Sequence, residues 1–204
     1  MTCPQDKTDL PEGAARPVPP KKRRGCWVAA LVVVAVLAAV VTVLYPWTRN
    51  VCVQTRRCIC AANLKQIGAG AFMYAKDFQG NFPLELQVLR GYCVVAPRIY
   101  LCPSSGKQPE PNPAFVTDYI YIGAGLQEGS TPSDIPIAMD DPRNHDRYIN
   151  ILFKDGRVQG FNLPRKMTSC IEVLHHLFPD LDQSPEGCLV LENAQKADDA
   201  GAAR

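Results

Sequence analysis

The hydrophobic residues of this chain are concentrated in one uninterrupted stretch. Residues 27–45 read WVAALVVVAVLAAVVTVLY, with a threonine as the only aliphatic polar residue. In a helix this stretch covers roughly 28 Å, close to the ~30 Å thickness of a bilayer's hydrocarbon core. A cleaved signal peptide has a shorter apolar region, about 7–15 residues, followed by small residues. We therefore expect a transmembrane helix over residues 26–47.

Behind this stretch the hydrophobic pattern changes to a helical repeat. Between positions 48 and 78 there is no proline, and apolar side chains recur every three or four positions, at Cys60, Leu64, Ile67, Ala71 and Phe78. Gly80 provides a stop signal, and Pro83 prevents the helix from resuming. The sequence therefore predicts an N-terminal helix of about 50 residues, in which the apolar stretch continues into this segment as one long rod, interrupted or kinked at Pro46.

Short apolar runs in the second half of the chain predict a small antiparallel sheet. Three candidate strands lie at residues 119–122, 135–139 and 148–153. A fourth run, at residues 158–161, follows Asp155 and Gly156. An Asp-Gly pair between two apolar runs is a strong hairpin signal, because glycine adopts positive φ in a tight turn. With the helices, these strands predict the α+β fold class.

Charge is balanced over the whole chain but not along it. The chain has 22 Lys+Arg against 20 Asp+Glu, which argues against the uniformly basic surface of a dedicated nucleic-acid-binding protein. Basic residues fill positions 21–24, directly before the apolar stretch. By the positive-inside rule, this cluster predicts a cytoplasmic N-terminus and a single-pass chain whose bulk lies outside the cytoplasm.

These signals divide the chain into four regions. Residues 1–25 are expected to be a disordered basic cytoplasmic tail, and residues 26–47 the transmembrane helix. Residues 48–190 are expected to form an extracytoplasmic α+β domain, in which the long helix packs on a small antiparallel sheet. Helical periodicity also occurs at residues 165–178, whereas residues 191–204 are polar and predict a flexible tail.

The nine cysteines suit an oxidising location. Cys58 and Cys60 lie about 200° apart on a helix, so only Cys60, on the apolar face, points into the head. Their spacing is not that of a zinc motif, and we expect no metal site. A disulfide from Cys60 to Cys102 or from Cys93 to Cys102 is consistent with the sequence, which leaves the connectivity open.

Three motifs resemble one family. Residues 57–68 read RCICAANLKQIG and lead through Met-Tyr-Ala at 73–75 to Gly-Asn-Phe-Pro at 80–83. This stretch resembles the segment behind the membrane helix of type IV pilin-like and type II secretion pseudopilin-like proteins. Leu-Cys-Pro-Ser at 101–104 resembles the L-C-P-S loop of the H-x9-D-G (prepilin-type processing-associated) members. His145 is followed by nine residues and then by Asp155-Gly156, which matches their signature.

The resemblance covers residues 26 to about 163 and implies a pilin-like helix on a small sheet head. It also places a prepilin peptidase site at Gly25–Cys26. In the family a glutamate near the mature N-terminus supports subunit assembly, and Ala30 stands at the matching position here. We therefore expect cleavage at Gly25–Cys26 to be absent or inefficient, which would leave the chain permanently anchored.

Several residues suggest chemistry, but we favour structural roles for them. His145 and Asp155 invite an acid–base or metal interpretation, yet the resemblance implies no catalytic role, and aspartate is favoured by the turn itself. Asp140 and Asp141 beside Asn144 offer oxygen ligands for calcium at spacings that match no known loop. The sequence has no Ser/His/Asp order, glycine-rich phosphate loop or paired-carboxylate constellation. We expect neither enzymatic activity nor a cofactor.

The sequence and the resemblance together imply a membrane-anchored, pseudopilin-like structural protein of a bacterial envelope or secretion/pilus-type assembly. It is expected in the bacterial inner membrane. Its expected partners are the lipid bilayer and other pilin-like subunits or secretion components, and no nucleic acid. The alternative is a membrane-anchored, cysteine-rich redox or metal-binding module. Bound metal or a reactive thiol pair in the native protein would distinguish the second from the first.

Overall fold

The computed structural model describes residues 24–92, 96–108, 115–130 and 132–202. Helix α1 (Arg24–Asp77) is its first element and is continuous through Pro46. The predicted long N-terminal helix is confirmed, at 54 residues. The interruption predicted at Pro46 is not found, because a proline removes one N–H donor and need not end a helix. Of the predicted tail at residues 1–25, only Arg24 and Gly25 are described, as the first residues of α1. The chain divides into two compact units between Thr48 and Arg49.

The first unit contains the apolar part of α1. Side chains from position 27 to position 48 are exposed throughout. Within the described residues, α1 is the one helix long and apolar enough to cross a membrane, and none of its apolar window is buried in the protein. The core helix of a soluble protein would be mostly buried instead. The exposure of this segment therefore supports a membrane-spanning helix.

In the second unit, α1 contributes one face to the hydrophobic core. Its buried side chains recur with helical spacing: Cys60, Leu64, Ile67, Ala71 and Ala75. The helix ends at Asp77. Gln79, with φ of +56°, takes the left-handed position after the helix, and Gly80, with φ of +84°, donates its N–H to the carbonyl of Ala75 at 2.7 Å, as in a Schellman cap. The predicted helix and its glycine stop are confirmed.

Four short strands form one antiparallel sheet in the order β1-β2-β3-β4. They are β1 (Tyr119–Tyr121), β2 (Pro136–Asp140), β3 (Tyr148–Phe153) and β4 (Val158–Asn162). Each lies within one residue of a predicted strand. Gly156 adopts φ of +83° in the turn between β3 and β4, so the predicted hairpin is also confirmed. The fold class is α+β.

Helix α1 packs closely on β3. A Cβ added at Gly68 would lie only 2.9 Å from Cδ1 of Leu152, a buried residue of β3. The ammonium group of Lys65 donates a hydrogen bond to the carbonyl of Gly156 in the hairpin turn. The absence of a side chain at Gly68 thus lets the helix approach the sheet, and the core lies between them.

The remaining helices are α2 (Leu86–Tyr92), α3 (Cys170–Leu177) and α4 (Pro185–Ala202). Helix α3 falls inside the predicted helical region, 165–178. Helix α4 differs from the flexible tail predicted at residues 191–204, of which 203 and 204 lie outside the described residues. Val190 and Ala194, one turn apart, are fully buried. Packing of this narrow apolar face stabilises a helix whose composition is otherwise polar.

Polar contacts also hold α4 in place. The carboxylate of Asp198 accepts hydrogen bonds from the N–H groups of Cys170 and Ile171 at 2.8 and 3.0 Å, so it caps the start of α3. At the other end of α4, Glu186 Oε2 lies 2.5 Å from Nζ of Lys154, which directly follows β3 and is buried. These contacts join distant positions and therefore leave no local pattern in the sequence.

Candidate functional site

Four side chains from separate parts of the second unit meet beside α1. Cys60 lies on α1, and Cys102 lies in the loop after a short 3-10 helix, Pro97–Tyr100. Asp140 ends β2, and His145 lies in the connection between β2 and β3. All four side chains are buried. We call Cys60, Cys102, Asp140 and His145 the cysteine–histidine cluster.

The polar atoms of the cluster lie within contact distance of one another. Cys60 Sγ donates to Cys102 Sγ at 3.2 Å, and Cys102 Sγ is 3.5 Å from His145 Nε2. The same nitrogen lies 3.6 Å from Asp140 Oδ2. The ligand atoms of Cys60, Cys102 and His145 are all within 4.8 Å of one another. Both cysteines are free thiols here, so the Cys60–Cys102 disulfide stays a prediction, although the two sulfurs are neighbours.

Hydrogen bonds within its own loop fix the position of Cys102. The buried carboxylate of Asp118 accepts from the N–H of Cys102 at 2.9 Å and from Ser105 Oγ at 2.6 Å. Lys107 pairs with the other oxygen of Asp118 at 2.6 Å. The N–H of Ser104 donates to Cys102 Sγ at 3.3 Å. The Leu-Cys-Pro-Ser segment is therefore a hydrogen-bonded loop that holds a sulfur atom next to α1.

Asp140 is held from the neighbouring strand. Asn150 of β3 donates its backbone N–H and its side-chain Nδ2 to Asp140 Oδ2, at 3.0 and 2.8 Å. The same Nδ2 also donates to the carbonyl of Arg57 on α1 at 3.1 Å. The other oxygen of Asp140, Oδ1, is buried and has no hydrogen-bond partner among the described residues. One carboxylate oxygen is thus fixed, and the second is available to another group.

Asn63, the asparagine of the Asn-Leu-Lys-Gln segment, lies one turn after Cys60 and has a structural role. It is buried, and its Nδ2 donates to the carbonyl of Leu101 at 3.3 Å and to Oη of Tyr119 at 3.0 Å. These bonds connect α1 both to the residue before Cys102 and to β1. Asn63 therefore positions the cysteine-bearing loop against the helix.

The cluster sets the protonation of its members. The hydrogen bond from Cys60, followed by the one with His145, lowers the pKa of the Cys102 thiol well below its usual range. The hydrogen bond to Cys102, together with burial, raises the pKa of Cys60. Burial raises the pKa of Asp140 to about 7. Burial acts to lower the pKa of His145, but the hydrogen bond with Cys102 and the charge of Asp140 outweigh it and raise that pKa.

This arrangement suits thiol or metal chemistry. Two sulfurs and an imidazole nitrogen are ligands for zinc and other borderline or soft metal ions. Two adjacent thiols are also the precursors of a disulfide. Cys60 and Cys102 are 0% and 2% exposed. A substrate as large as a peptide would not reach their sulfurs without opening the fold.

The other predicted site residues lie apart from the cluster or outside the described residues. Asp155 is at the surface turn, where Oδ1 accepts the N–H of Arg157 at 2.9 Å, so its partner is not His145. Cys93 lies outside the described residues. Gly25 and Cys26 belong to the first turn of α1.

The residues considered for calcium are engaged with other groups. Asp141 is bound by the guanidinium of Arg143, with Nη2 2.7 Å from Oδ2. Asn144 Nδ2 donates to the carbonyl of Asp118 at 3.5 Å. Asp140 belongs to the cysteine–histidine cluster, where sulfur and nitrogen are the neighbouring donors. This neighbourhood does not favour calcium, which prefers an all-oxygen site.

The sequence offers Cys60 or Cys93 as a partner for Cys102 but does not place Asp140 and His145 beside them. The H-x9-D-G spacing directs attention to Asp155, whereas the carboxylate nearest to His145 is that of Asp140. The only sequence signal for this contact is weak: Asp140 and His145 are five positions apart, at the end of β2 and in the β2–β3 connection. No protein-family model, curated protein or solved structure matches this chain.

Proposed function

We propose that this chain is a membrane-anchored, pilin-like structural protein of a bacterial envelope or secretion/pilus-type assembly. One observation carries the proposal: a single helix has a fully exposed apolar N-terminal part and a C-terminal part that packs on a four-stranded antiparallel sheet. The first part offers a lipid-facing or subunit-facing surface, and the second supplies the core of the head. The sequence resemblance to pseudopilins agrees with a helix whose first part anchors the chain and whose second part forms the core of the head.

The proposed location follows from the charge pattern. The basic cluster at positions 21–24 favours a cytoplasmic N-terminus in the bacterial inner membrane, with the head on the other side. The proposed partners are the lipid bilayer and other pilin-like subunits or secretion components. The proposed role is structural, without catalysis.

Fractionation and a reporter fusion test the anchor. The chain should stay with the membrane after a carbonate wash, and alkaline phosphatase fused after residue 204 should be active in a bacterial host. A cytoplasmic reporter fused at the same point should be inactive. Release by carbonate, or the opposite pair of reporter activities, would contradict the proposed anchor or its orientation.

Cross-linking in the native bacterium tests the assembly. The chain should be captured with copies of itself or with other membrane-anchored subunits. Ala30→Glu restores the family's assembly glutamate and should increase the cross-linked fraction severalfold. Ala29→Glu is the matched control, since it adds the same charge one position away on an equally exposed segment. An equal effect of both variants, or no effect of either, would argue against pilin-like assembly.

The alternative, a membrane-anchored redox or metal-binding module, is favoured by one specific observation. This observation is the buried cysteine–histidine cluster. A structural anchor and a metal or thiol site are compatible in one chain, since the cluster lies entirely in the second unit.

A further inference from the structure

The cysteine–histidine cluster combines residues that a purely apolar core would not contain. Cys60 and Cys102 face His145 and Asp140 in a buried region. A buried imidazole and a buried carboxylate cost free energy unless their polar atoms are satisfied. Asp140 Oδ1 has no hydrogen-bond partner among the described residues. The cluster therefore needs an explanation that involves all four side chains.

We propose that Cys60, Cys102 and His145 bind one divalent metal ion of the zinc type, beside Asp140, in a site that ties α1 to the loop of Cys102 and to the β2–β3 connection. This inference goes beyond the pilin-like function and does not depend on it.

The distances agree with a tetrahedral site. Zinc lies about 2.3 Å from a thiolate sulfur and about 2.0–2.2 Å from an imidazole nitrogen or a carboxylate oxygen, which puts neighbouring ligand atoms roughly 3.3–3.8 Å apart. The observed separations are 3.2 Å between the sulfurs, 3.5 Å from Cys102 Sγ to His145 Nε2, and 3.6 Å from that nitrogen to Asp140 Oδ2. The ligand atoms of Cys60, Cys102 and His145 all lie within 4.8 Å of one another, so small side-chain rotations would place these three groups around one ion.

The donor types select the metal. Two thiolates and an imidazole suit zinc and related transition metals, whereas calcium and magnesium require oxygen ligands. Three protein ligands fill three corners of a tetrahedral ion and leave the fourth to water or to the nearby Asp140 carboxylate. Because the cluster is buried, a substrate as large as a peptide would not reach the ion, which favours a structural role.

The surrounding hydrogen bonds are those that a metal site uses. The N–H of Ser104 donates to Cys102 Sγ at 3.3 Å, as a partner that stabilises a metal-bound thiolate would. Asn150 fixes Asp140 Oδ2 with two hydrogen bonds, which holds this oxygen 3.6 Å from His145 Nε2. The ligands are therefore oriented before any ion binds.

A disulfide between Cys60 and Cys102 is the competing explanation, since the two use the same sulfurs. It requires an S–S distance of about 2.05 Å, which small side-chain rotations would also reach from the observed 3.2 Å. A disulfide accounts for the two sulfurs alone and leaves the buried His145 without a role. The metal site gives His145 the role of a ligand as well.

The test measures metal in the full-length chain, isolated from membranes in detergent without reductant or chelator. Elemental analysis should find one zinc ion per chain. After exchange for Co²⁺, the absorption spectrum should show thiolate-to-cobalt charge transfer. Cys102→Ser should lower the bound metal by tenfold or more, because it removes a ligand. Cys58→Ser is the matched control, since Cys58 is an exposed cysteine on the same helix and should leave the metal content unchanged.

His145→Cys keeps the inference testable if Cys102→Ser does not fold. This variant replaces one zinc ligand with another, so it should still bind Co²⁺ and should show stronger charge transfer from three thiolates. A metal-free native chain, lighter by two hydrogen atoms and with a Cys60–Cys102 link in its peptide map, would overturn the proposal. So would a Cys102→Ser chain with native metal content, or a cobalt spectrum without thiolate bands.

Discussion

Replacing Gly156 with alanine should destabilise the head through two separate effects. Gly156 has φ of +83°, in the left-handed region where a Cβ costs about 1–2 kcal/mol. In addition, the new Cβ would lie 3.1 Å from Cε2 of Phe72 on α1, so the ring must move. Overpacking of this kind adds about 1–3 kcal/mol. The sum, about 2–5 kcal/mol, is a large part of the ~5–15 kcal/mol stability of a typical domain.

Two other glycines separate these effects. Gly129 has a similar φ of +81°, but nothing lies within 4 Å of an added Cβ, so Gly129→Ala measures backbone strain alone. Gly91 in α2 has open space around its Cβ and is outside the left-handed region. Gly91→Ala should be neutral or stabilising, since alanine is about 1 kcal/mol better than glycine in a helix.

Calorimetric melting of the full-length chain in detergent measures the series. For a chain of this size each kcal/mol shifts Tm by about 2–4 °C, so Gly156→Ala should melt roughly 5–15 °C below the native protein. The Tm of Gly129→Ala should lie between those of Gly156→Ala and the native protein. A native Tm for Gly156→Ala would refute the strained turn. An equal loss in Gly129→Ala and Gly156→Ala would show that the contact with Phe72 contributes nothing.

Further substitutions test the packing of α1 and α4. Gly68→Val should lower Tm by several degrees in the same assay, because the new side chain must displace Leu152; an unchanged Tm would contradict the close approach of α1 to β3. Glu186→Ala should cost about 2–3 kcal/mol in urea unfolding, because it leaves the buried ammonium of Lys154 without its carboxylate. Lys154→Met should cost less, since Glu186 is partly exposed and can be hydrated, and the reverse order would refute this reasoning. Asp198→Ala should cost about 0.5–2 kcal/mol and speed amide exchange at the start of α3, as loss of a helix cap does; unchanged exchange there would count against the cap.

The parts of the fold that the sequence predicts are those with local signals. The helical repeat from Cys60 to Ala75 and the Asp155-Gly156 turn depend on residues that are neighbours along the chain, and both are found in the structure. Helix α4 depends instead on contacts with distant residues. Its first turn pairs with Lys154, and its last turns contact α3 through Asp198. Composition alone therefore made α4 look like a flexible tail.

In the candidate site, too, only the features with local sequence signals could be predicted. Cys60 on a predicted apolar face and Cys102 in a predicted loop could be paired from the sequence as possible partners. The place of Asp140 depends on strand register, because it lies opposite Tyr119 of β1 and accepts hydrogen bonds from Asn150 of β3. His145 reaches the cysteines only when the β2–β3 connection is in place. Neither position could be derived without the register of the sheet.

The contacts between α1 and the β3–β4 hairpin impose an order on folding during synthesis. Lys65 and Gly156 are 91 residues apart in the chain, and Arg57 and Asn150 are 93 apart. At about 5–20 residues per second, the hairpin is completed roughly 5–20 s after this part of the helix. During that interval the apolar face of Leu64 and Ile67 has no sheet to cover it. Until the hairpin arrives, this uncovered face is open to non-native contacts.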